Sequence, residues 1–523
     1  MSATTRPPTE RVAFRALAWA DALANRLYGW RANPLYQSGT IVIAFLLVIL
    51  VTGLWLILFY RVGAPWASVE RITADRWVGN WMRGMHRYAS DAAVLATIIH
   101  AFRMYAQGRS WGPRALAWVT GVGLLGLLMI CGWTGYVMVW DTFGQTLARE
   151  GARMLDALPV LSEPTSRAFT GERPLPPAFF FLNLFAHIGI PLALGIGLWL
   201  HISRVARPAL LPPKALGYGV VAALLAIALA IPITMLPEAS PFTIPATVPV
   251  DLFFGFWIPF ARRMSGGGAL LAAAGAVALL AAVPLLTRRR GDRAAPPSTV
   301  DEEICVGCEQ CAADCPYDAI AMITRAPGGR SELVARVDPA RCVSCGICAG
   351  SCAPMGVGPP GRTGRDQLAD VRAFIESPAR RPGEHVVVAC DRGASRWGDA
   401  IRGEGAALLP VDCAGNLHTS VVELLVRNGS AGVLVVACPP RDCWNREGPR
   451  WLLERMYHDR EAELQARVDR SRVRVAYANA AEGADAVAAL RGLVADTRPL
   501  GAVAVDPGEV GAECDVELTG PRE

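Results

Sequence analysis

The chain has 523 residues, 52% of them hydrophobic, with 51 basic against 46 acidic side chains and a net charge of +5. That apolar content is too high for a wholly soluble protein, and the length leaves room for several domains. The positive charge is spread along the borders of apolar runs and forms no Lys/Arg face of the kind that binds nucleic acid. Only one basic residue, Lys214, is lysine, a bias that points to a GC-rich bacterial genome. The first 38 residues are polar and arginine-bearing, and no short apolar stretch there ends in a cleavage site, so no removable signal is expected. Residues 10–30 can form an amphipathic helix lying on a membrane surface.

Six apolar segments then reach the length needed to span a lipid bilayer, near 39–60, 84–106, 115–138, 178–203, 217–236 and 268–286. Arg103, Arg109 and Arg114 flank the inner end of the second. Arg204, Arg207 and Lys214 follow the fourth, and Arg288, Arg289, Arg290 and Arg293 follow the sixth. With the arginines before the first span, this charge pattern places both termini on the cytoplasmic side of a bacterial inner membrane. Four histidines lie inside these segments as two pairs of equal spacing, His86 with His100 and His187 with His201. Fourteen helical residues rise about 21 Å, nearly four turns, so each pair presents two imidazoles on one helix face at two depths. A lone histidine on an apolar helix is more often a satisfied core residue or part of a proton pathway. The repeated spacing points instead to two b-type haems held by histidines from facing helices. Spans two and four run the same way, so His86 meets His187 near the periplasmic face and His100 meets His201 near the cytoplasm.

These residues resemble cytochrome b of the respiratory and photosynthetic bc complexes, over roughly residues 10–290. Gly39 and Gly53, and Gly121 and Gly135, repeat the histidine interval. Glycine at such places removes a side chain and lets a flat macrocycle approach the backbone. The resemblance also implies that Arg83 and Arg103 pair with haem propionates, and that the chain is a homodimer. Gly135-Tyr136-Val137-Met138-Val139-Trp140 looks like the family's glycine-tyrosine-valine-leucine-proline-tryptophan run beside its outer quinol site, with Val139 in place of the proline. The family's proline-glutamate-tryptophan-tyrosine stretch corresponds to Pro249-Val250-Asp251-Leu252. The carboxylate has either moved by one residue or been lost, Asp251 then being a solvated loop acid. Tyr136, Trp140 and Asp251 are the candidate quinone-site residues.

After an arginine- and proline-bearing linker, Cys305-x2-Cys308-x2-Cys311-x3-Cys315-Pro316 is the bacterial ferredoxin run, repeated by Cys342-x2-Cys345-x2-Cys348-x3-Cys352. Zinc motifs lack this ending, and disulfides are uncommon in the cytoplasm. In two-cluster ferredoxins the fourth cysteine of each run serves the other cluster. One [4Fe–4S] cluster is therefore assigned to Cys305, Cys308, Cys311 and Cys352, the other to Cys342, Cys345, Cys348 and Cys315.

The last part alternates apolar strand runs at His385–Ala389, Ala406–Val411, Gly432–Ala437 and Arg472–Ala478 with helical stretches near 395–403, 418–428, 448–469 and 480–494, an α/β pattern with a parallel sheet. Cys390, Cys413 and Cys438 end three strands and Cys443 follows, so all four fall where such sheets collect ligands. Spacing alone allows zinc or unligated core cysteines. Asp412-Cys413-Ala414-Gly415 and Ala437-Cys438-Pro439-Pro440-Arg441-Asp442-Cys443 resemble the iron–sulfur delta subunit of methanogen hydrogenases that serves heterodisulfide reductase. That resemblance, over about 385–500, implies one [2Fe–2S] cluster. Cys131 and Cys514 stand without partners in the sequence.

The expected domains are an N-terminal segment (1–38), a six-span di-haem transmembrane α-helical bundle (39–290), a linker (291–300), a ferredoxin-like two-cluster α+β domain (301–356), a second linker (357–383), the α/β domain (384–500) and a tail (501–523). No dinucleotide-binding glycine loop and no catalytic dyad stand out. The chain thus reads as the electron-transfer subunit of a membrane quinone oxidoreductase. Its partners would be quinone or quinol and a cytoplasmic flavoprotein, either a dehydrogenase or one of the heterodisulfide reductase type. The reverse current, from quinol to a cytoplasmic reductase, and a docking scaffold for a hydrogenase-like complex are the alternatives.

Overall fold

Long runs of Leu, Ile, Val and Ala without helix breakers form the helices of the first part of the chain. The computed structural model describes residues 8–159, 165–169, 175–203, 207–243, 245, 247, 249, 251–287, 295–327, 329–458 and 460–500. Arg204, Val250, Arg288, Arg289, Arg290, Arg293, Cys514, the 501–523 tail and part of the 291–300 linker lie outside the described residues. The chain divides into two compact units, the second starting at Ala295 and taking in Ala18–Ala22.

The first unit contains α1 (Pro8–Ala32), α2 (Ser38–Leu56), α3 (Pro65–Ala74), α4 (Gly79–Ala106), α5 (Ala115–Val139), α6 (Thr142–Leu155), α7 (Pro177–Ile202), α8 (Lys214–Ala230), α9 (Ile258–Ala261) and α10 (Gly266–Thr287). Four helices among the described residues are long and apolar enough to cross a membrane: Ser38–Leu56, Gly112–Val139, Pro177–Ile202 and Gly266–Thr287. Helix α4 spans 28 residues but carries Arg83, Arg87, Asp91 and Arg103, and α8 is a shorter apolar helix of 17. Phe181, Leu182, Phe185, Leu192 and Ile196 leave one side of α7 apolar and exposed, as a lipid-facing surface requires. Helix α2 packs on α4 and α5 on α7. Asp141 caps α6 by accepting from the N–H groups of Phe143 and Gly144 at 3.1 and 2.9 Å.

The second unit opens with two small antiparallel pairs. Strand β1 (Thr299–Val300) pairs with β4 (Val357–Gly358), and β2 (Ile320–Thr324) with β3 (Leu333–Val337), while α11 (Gln310–Ala313) and α12 (Ile347–Ser351) lie between. Two half-repeats are visible in the backbone. Gly307 and Glu309 flank Cys308 at φ 70° and 65°, and Ser344 and Gly346 flank Cys345 at 56° and 77°. Such left-handed residues wrap the chain tightly around the middle cysteine of each run.

Helix α13 (Gly364–Glu376), held by a capping box from Thr363 and Asp366, leads into the α/β part. Its strands are β5 (Val386–Cys390), β6 (Ala407–Val411), β7 (Val433–Ala437) and β8 (Val473–Tyr477), interleaved with α14 (Asp391–Gly403), α15 (Thr419–Arg427), α16 (Gly448–Tyr457) and α17 (Gly483–Thr497). All pairings are parallel and the order is β6-β5-β7-β8. The fully buried Val386, Val387, Val388, Val433, Leu434 and Val435 explain why these strands read as unbroken apolar runs. The helix expected over 448–469 is shorter, because α16 ends at Tyr457. Its buried stripe, Leu452 and Met456, would continue into Arg460 and Glu463. The chain instead turns back, and the Leu464 N–H bonds to the Arg455 carbonyl at 3.0 Å.

Candidate functional site

The four histidines of the helical unit each face one glycine. A Cβ added to Gly53 would lie 3.1 Å from His86 Cε1, one on Gly39 3.0 Å from His100, one on Gly135 3.0 Å from His187 and one on Gly121 3.3 Å from His201. The matching is reversed in order, so α2 runs antiparallel to α4 and α5 to α7, and equal 14-residue intervals keep both ends in register. In each case the nearest atom is the imidazole Cε1, so the glycines first make room for the histidine rings.

Each ring is fixed by the residue before its glycine. His86 Nδ1 lies 3.0 Å from Thr52 Oγ1, His100 Nδ1 3.2 Å from Ser38 Oγ, His187 Nδ1 2.9 Å from Thr134 Oγ1 and His201 Nδ1 2.9 Å from Thr120 Oγ1. The threonine hydroxyls donate to helix carbonyls, Thr52 to Val48, Thr120 to Leu116 and Thr134 to Cys131. Their oxygens are therefore left to accept from Nδ1–H, and Nε2 keeps its lone pair. These residues escape a reading of the sequence, although the Ser/Thr-Gly dipeptide repeated at all four positions is a signal that could have found them. Cys131, isolated in the sequence, also meets this shell, its carbonyl lying 3.1 Å from His187 Nδ1.

His86 and His187 face each other with ring centroids 6.4 Å apart. A ligating imidazole nitrogen sits about 2 Å from its metal, so two imidazoles on opposite sides of one ion place their centroids about 6 Å apart. The pair fits a group with one iron between two histidines. His100 and His201 also interact electrostatically. Outer hydrogen bonds of this kind typically carry 10–100-fold in metal affinity. Replacing Thr52 with valine is accordingly expected to raise the haem dissociation rate by at least tenfold, measured as transfer to apomyoglobin; an unchanged rate would remove Thr52 from the site.

Arg83 donates to Thr73 Oγ1 at 2.8 Å. Arg103 is buried with its guanidinium 4.7 Å from the centre of the Tyr36 ring. Tyr136 and Asp251 come together: Asp251 Oδ2 accepts from the Tyr136 hydroxyl and from Arg87, both at 2.6 Å. Asp251 Oδ1 accepts from the N–H groups of Phe253, Phe254 and Gly255. Burial alone would push this carboxyl up, but the Tyr136 hydrogen bond, the Phe254 N–H and the Arg87 charge outweigh it and hold it below the usual carboxylate range. Trp140 is not in this cluster. It ends α5 in the left-handed conformation, φ 55°, and packs edge-on against Phe180 at 5.1 Å within an aromatic group containing Phe169 and Phe179.

In the second unit Cys305, Cys308, Cys311 and Cys352 line one pocket with about 350 Å³ of non-atom space, counting its open mouth. Cys315 falls instead among the thiols of the second run, interacting with Cys342, Cys345 and Cys348. The fourth cysteines thus cross over between the runs. Backbone N–H groups point at the sulfurs, Gly356 to Cys352 at 3.2 Å, Ala319 to Cys315 at 3.3 Å and Ser298 to Cys342 at 3.4 Å. Such bonds stabilise thiolate and tune the potential of a bound cluster. Burial pushes the Cys348 thiol up to about 12 and Cys352 to about 11, against hydrogen bonds from Ser298 and from the Gly356 N–H that lower them.

In the α/β part, Cys390 ends β5, Cys413 and Cys438 follow β6 and β7, and Cys443 lies on the loop after Cys438. All four stand at the carboxyl edge, where the strand order reverses between β5 and its two neighbours. The four thiols interact in the order Cys438, Cys390, Cys413 and Cys443. Cys390 and Cys443 donate to Cys413, which holds Cys413 well below the ordinary thiol range and raises the other two. None of these cysteines forms a disulfide. Among the described residues no three His, Cys, Asp or Glu side chains close around a single ion. All-thiol donor sets of this kind fit iron–sulfur clusters, which are held by cysteine.

Three family models match successive stretches of the chain: cytochrome b/b6/petB over residues 26–207, a 4Fe-4S dicluster domain over 304–356, and the delta subunit of methyl-viologen-reducing hydrogenase over 402–501. The chain thus joins stretches similar to these three, which support a membrane electron-transfer subunit; the cytochrome b match implies haem and the dicluster match implies iron–sulfur clusters. A solved structure titled "Hyperthermophilic respiratory Complex III" is similar at 17% identity and a TM-score of 0.40, covering 48% of this chain and 75% of that one.

Proposed function

We propose that this chain passes electrons from a cytoplasmic flavoprotein to the membrane quinone pool. The reading takes six helices, α2, α4, α5, α7, α8 and α10, as membrane spans with both termini cytoplasmic. It takes His86/His187 and His100/His201 as axial pairs for two b-type haems, the crossed cysteine sets as holders of two [4Fe–4S] clusters, and Cys390, Cys413, Cys438 and Cys443 as holders of one [2Fe–2S] cluster. The domains are those divided at residues 38, 290, 300, 356, 383 and 500, and the assembly is a homodimer. The bound groups supply reversible one-electron acceptance.

The observation that carries the reading is the contact of α/β residues close to its cysteines with the backbone at one cysteine of each crossed set. Asn445, two residues after Cys443, donates to the Cys345 carbonyl at 3.3 Å, and His418 Nε2 lies 3.1 Å from the Cys352 carbonyl. Burial keeps His418 neutral, with its pKa pushed down to about 4. In this reading the α/β part is the entry point for electrons, and the ferredoxin part receives them across this contact. Asp251 favours quinone reduction over quinol oxidation, because its oxygens are committed to Tyr136, Arg87 and three N–H groups and are poorly placed to take a quinol proton.

In sealed vesicles containing the purified chain, reduced viologen supplied on the side of the soluble domains is expected to drive reduction of a short-chain quinone. His100→Leu should abolish it. Native rates in both His100→Leu and His86→Leu would sink the reading. Loss in the first alone would place the quinone near the inner pair, and loss in both beyond the outer pair.

A further inference from the structure

Arg455 on α16 is buried at 1% exposure, and so is Asp314, at 0%. The arginine donates to the Ile347 carbonyl at 3.3 Å, to Ser351 Oγ at 2.9 Å and to the Gly415 carbonyl at 2.7 Å. Each acceptor adjoins a different cysteine set. Ile347 precedes Cys348, Ser351 precedes Cys352, and Gly415 lies two residues after Cys413. Ser351 in turn donates to Asp314 at 2.6 Å, beside Cys315, and Asp314 is paired with Arg460. The group of Arg455, Asp314 and Arg460 thus carries one net positive charge. Arg455 has only neutral direct partners, and its Nε finds no acceptor among the described residues.

We infer that Arg455 is a positioning and charge-setting residue that ties the three cysteine sets together and raises the reduction potentials of the clusters they hold. The inference rests on the iron–sulfur reading of these cysteines. A cluster gains negative charge on reduction, and a buried cation beside it favours the reduced form. The charge acts on both Cys348 and Cys413, so the effect should be shared across the contact between the α/β and ferredoxin parts. Sharing keeps neighbouring potentials close, which suits transfer in either direction along the series. The planar guanidinium fork sends one terminal nitrogen to the Ile347 carbonyl and Ser351 and the other to the Gly415 carbonyl.

The test is a redox titration of the full chain followed by EPR, with iron counted in the same samples. Arg455→Gln keeps much of the side chain and removes the charge. The clusters are expected to become about tenfold harder to reduce at a given potential, a shift of about 59 mV for a one-electron couple. Unchanged midpoints in a variant with native iron content would overturn the inference. Absence of cluster signals from the unaltered chain would instead overturn the iron–sulfur reading on which it rests. Should Arg455→Gln lose its iron, Arg455→Lys carries the test, since it retains the charge. Native midpoints are expected there, and midpoints lowered by about 59 mV, as in Arg455→Gln, would overturn the role of the charge.

Discussion

Replacing His187 with leucine is expected to remove about half of the b-type haem from the purified chain, because the iron of one pair loses an axial ligand. The geometry makes a sharper claim about pairs of changes. His86 and His187 face each other at 6.4 Å, so the double variant His86→Leu/His187→Leu should lose no more haem than either single variant. Combining His187→Leu with His100→Leu should leave almost none. This is the non-additivity expected of two residues acting on one site, set against additivity for independent sites. A pyridine haemochrome assay measures it directly. Equal losses from the two double variants would contradict the pairing.

The second large effect concerns Cys352. It belongs by sequence to the second cysteine run, yet it lines the pocket of Cys305, Cys308 and Cys311. Cys352→Ala is expected to deplete the cluster of the first run, about four irons per chain, and to spare the one held by Cys342, Cys345, Cys348 and Cys315. Cys315→Ala should do the reverse. Cluster-specific EPR signals, assigned with Cys308→Ala and Cys345→Ala as references, distinguish the two cases. If Cys352→Ala matched Cys345→Ala, each run would hold its own cluster and the crossing would be wrong.

Much of this was legible in the sequence because the chemistry imposes spacings. Four helical turns between His86 and His100, repeated between His187 and His201, show which faces must meet. The Cys-x2-Cys-x2-Cys runs mark their own role, and apolar runs such as Val386–Cys390 mark buried parallel strands. What stayed hidden depends on which side chain lands beside which. Thr52, Thr120 and Thr134 look like ordinary helix residues that bond back to their own turn. Only the packing of α2 on α4 and of α5 on α7 brings their hydroxyls to the imidazoles. Arg455 resembles any arginine of an amphipathic helix until the fold buries it against Ile347 and Gly415, residues distant in the chain. Trp140 shows the same dependence on packing. It stands in the same short run as Tyr136, but the left-handed turn at the end of α5 sends it into an aromatic cluster and leaves Tyr136 with Asp251.

The most direct test of the central claim is a rapid-mixing experiment on the detergent-solubilised chain with a stoichiometric, low-potential donor. The account predicts that the broad iron–sulfur absorbance bleaches first and that the haem α-band rises afterwards, with the second phase lost in Cys345→Ala. Haem reduction that precedes the bleaching, or that persists at the native rate in Cys345→Ala, would contradict an electron path running from the cysteine sets to the histidine pairs.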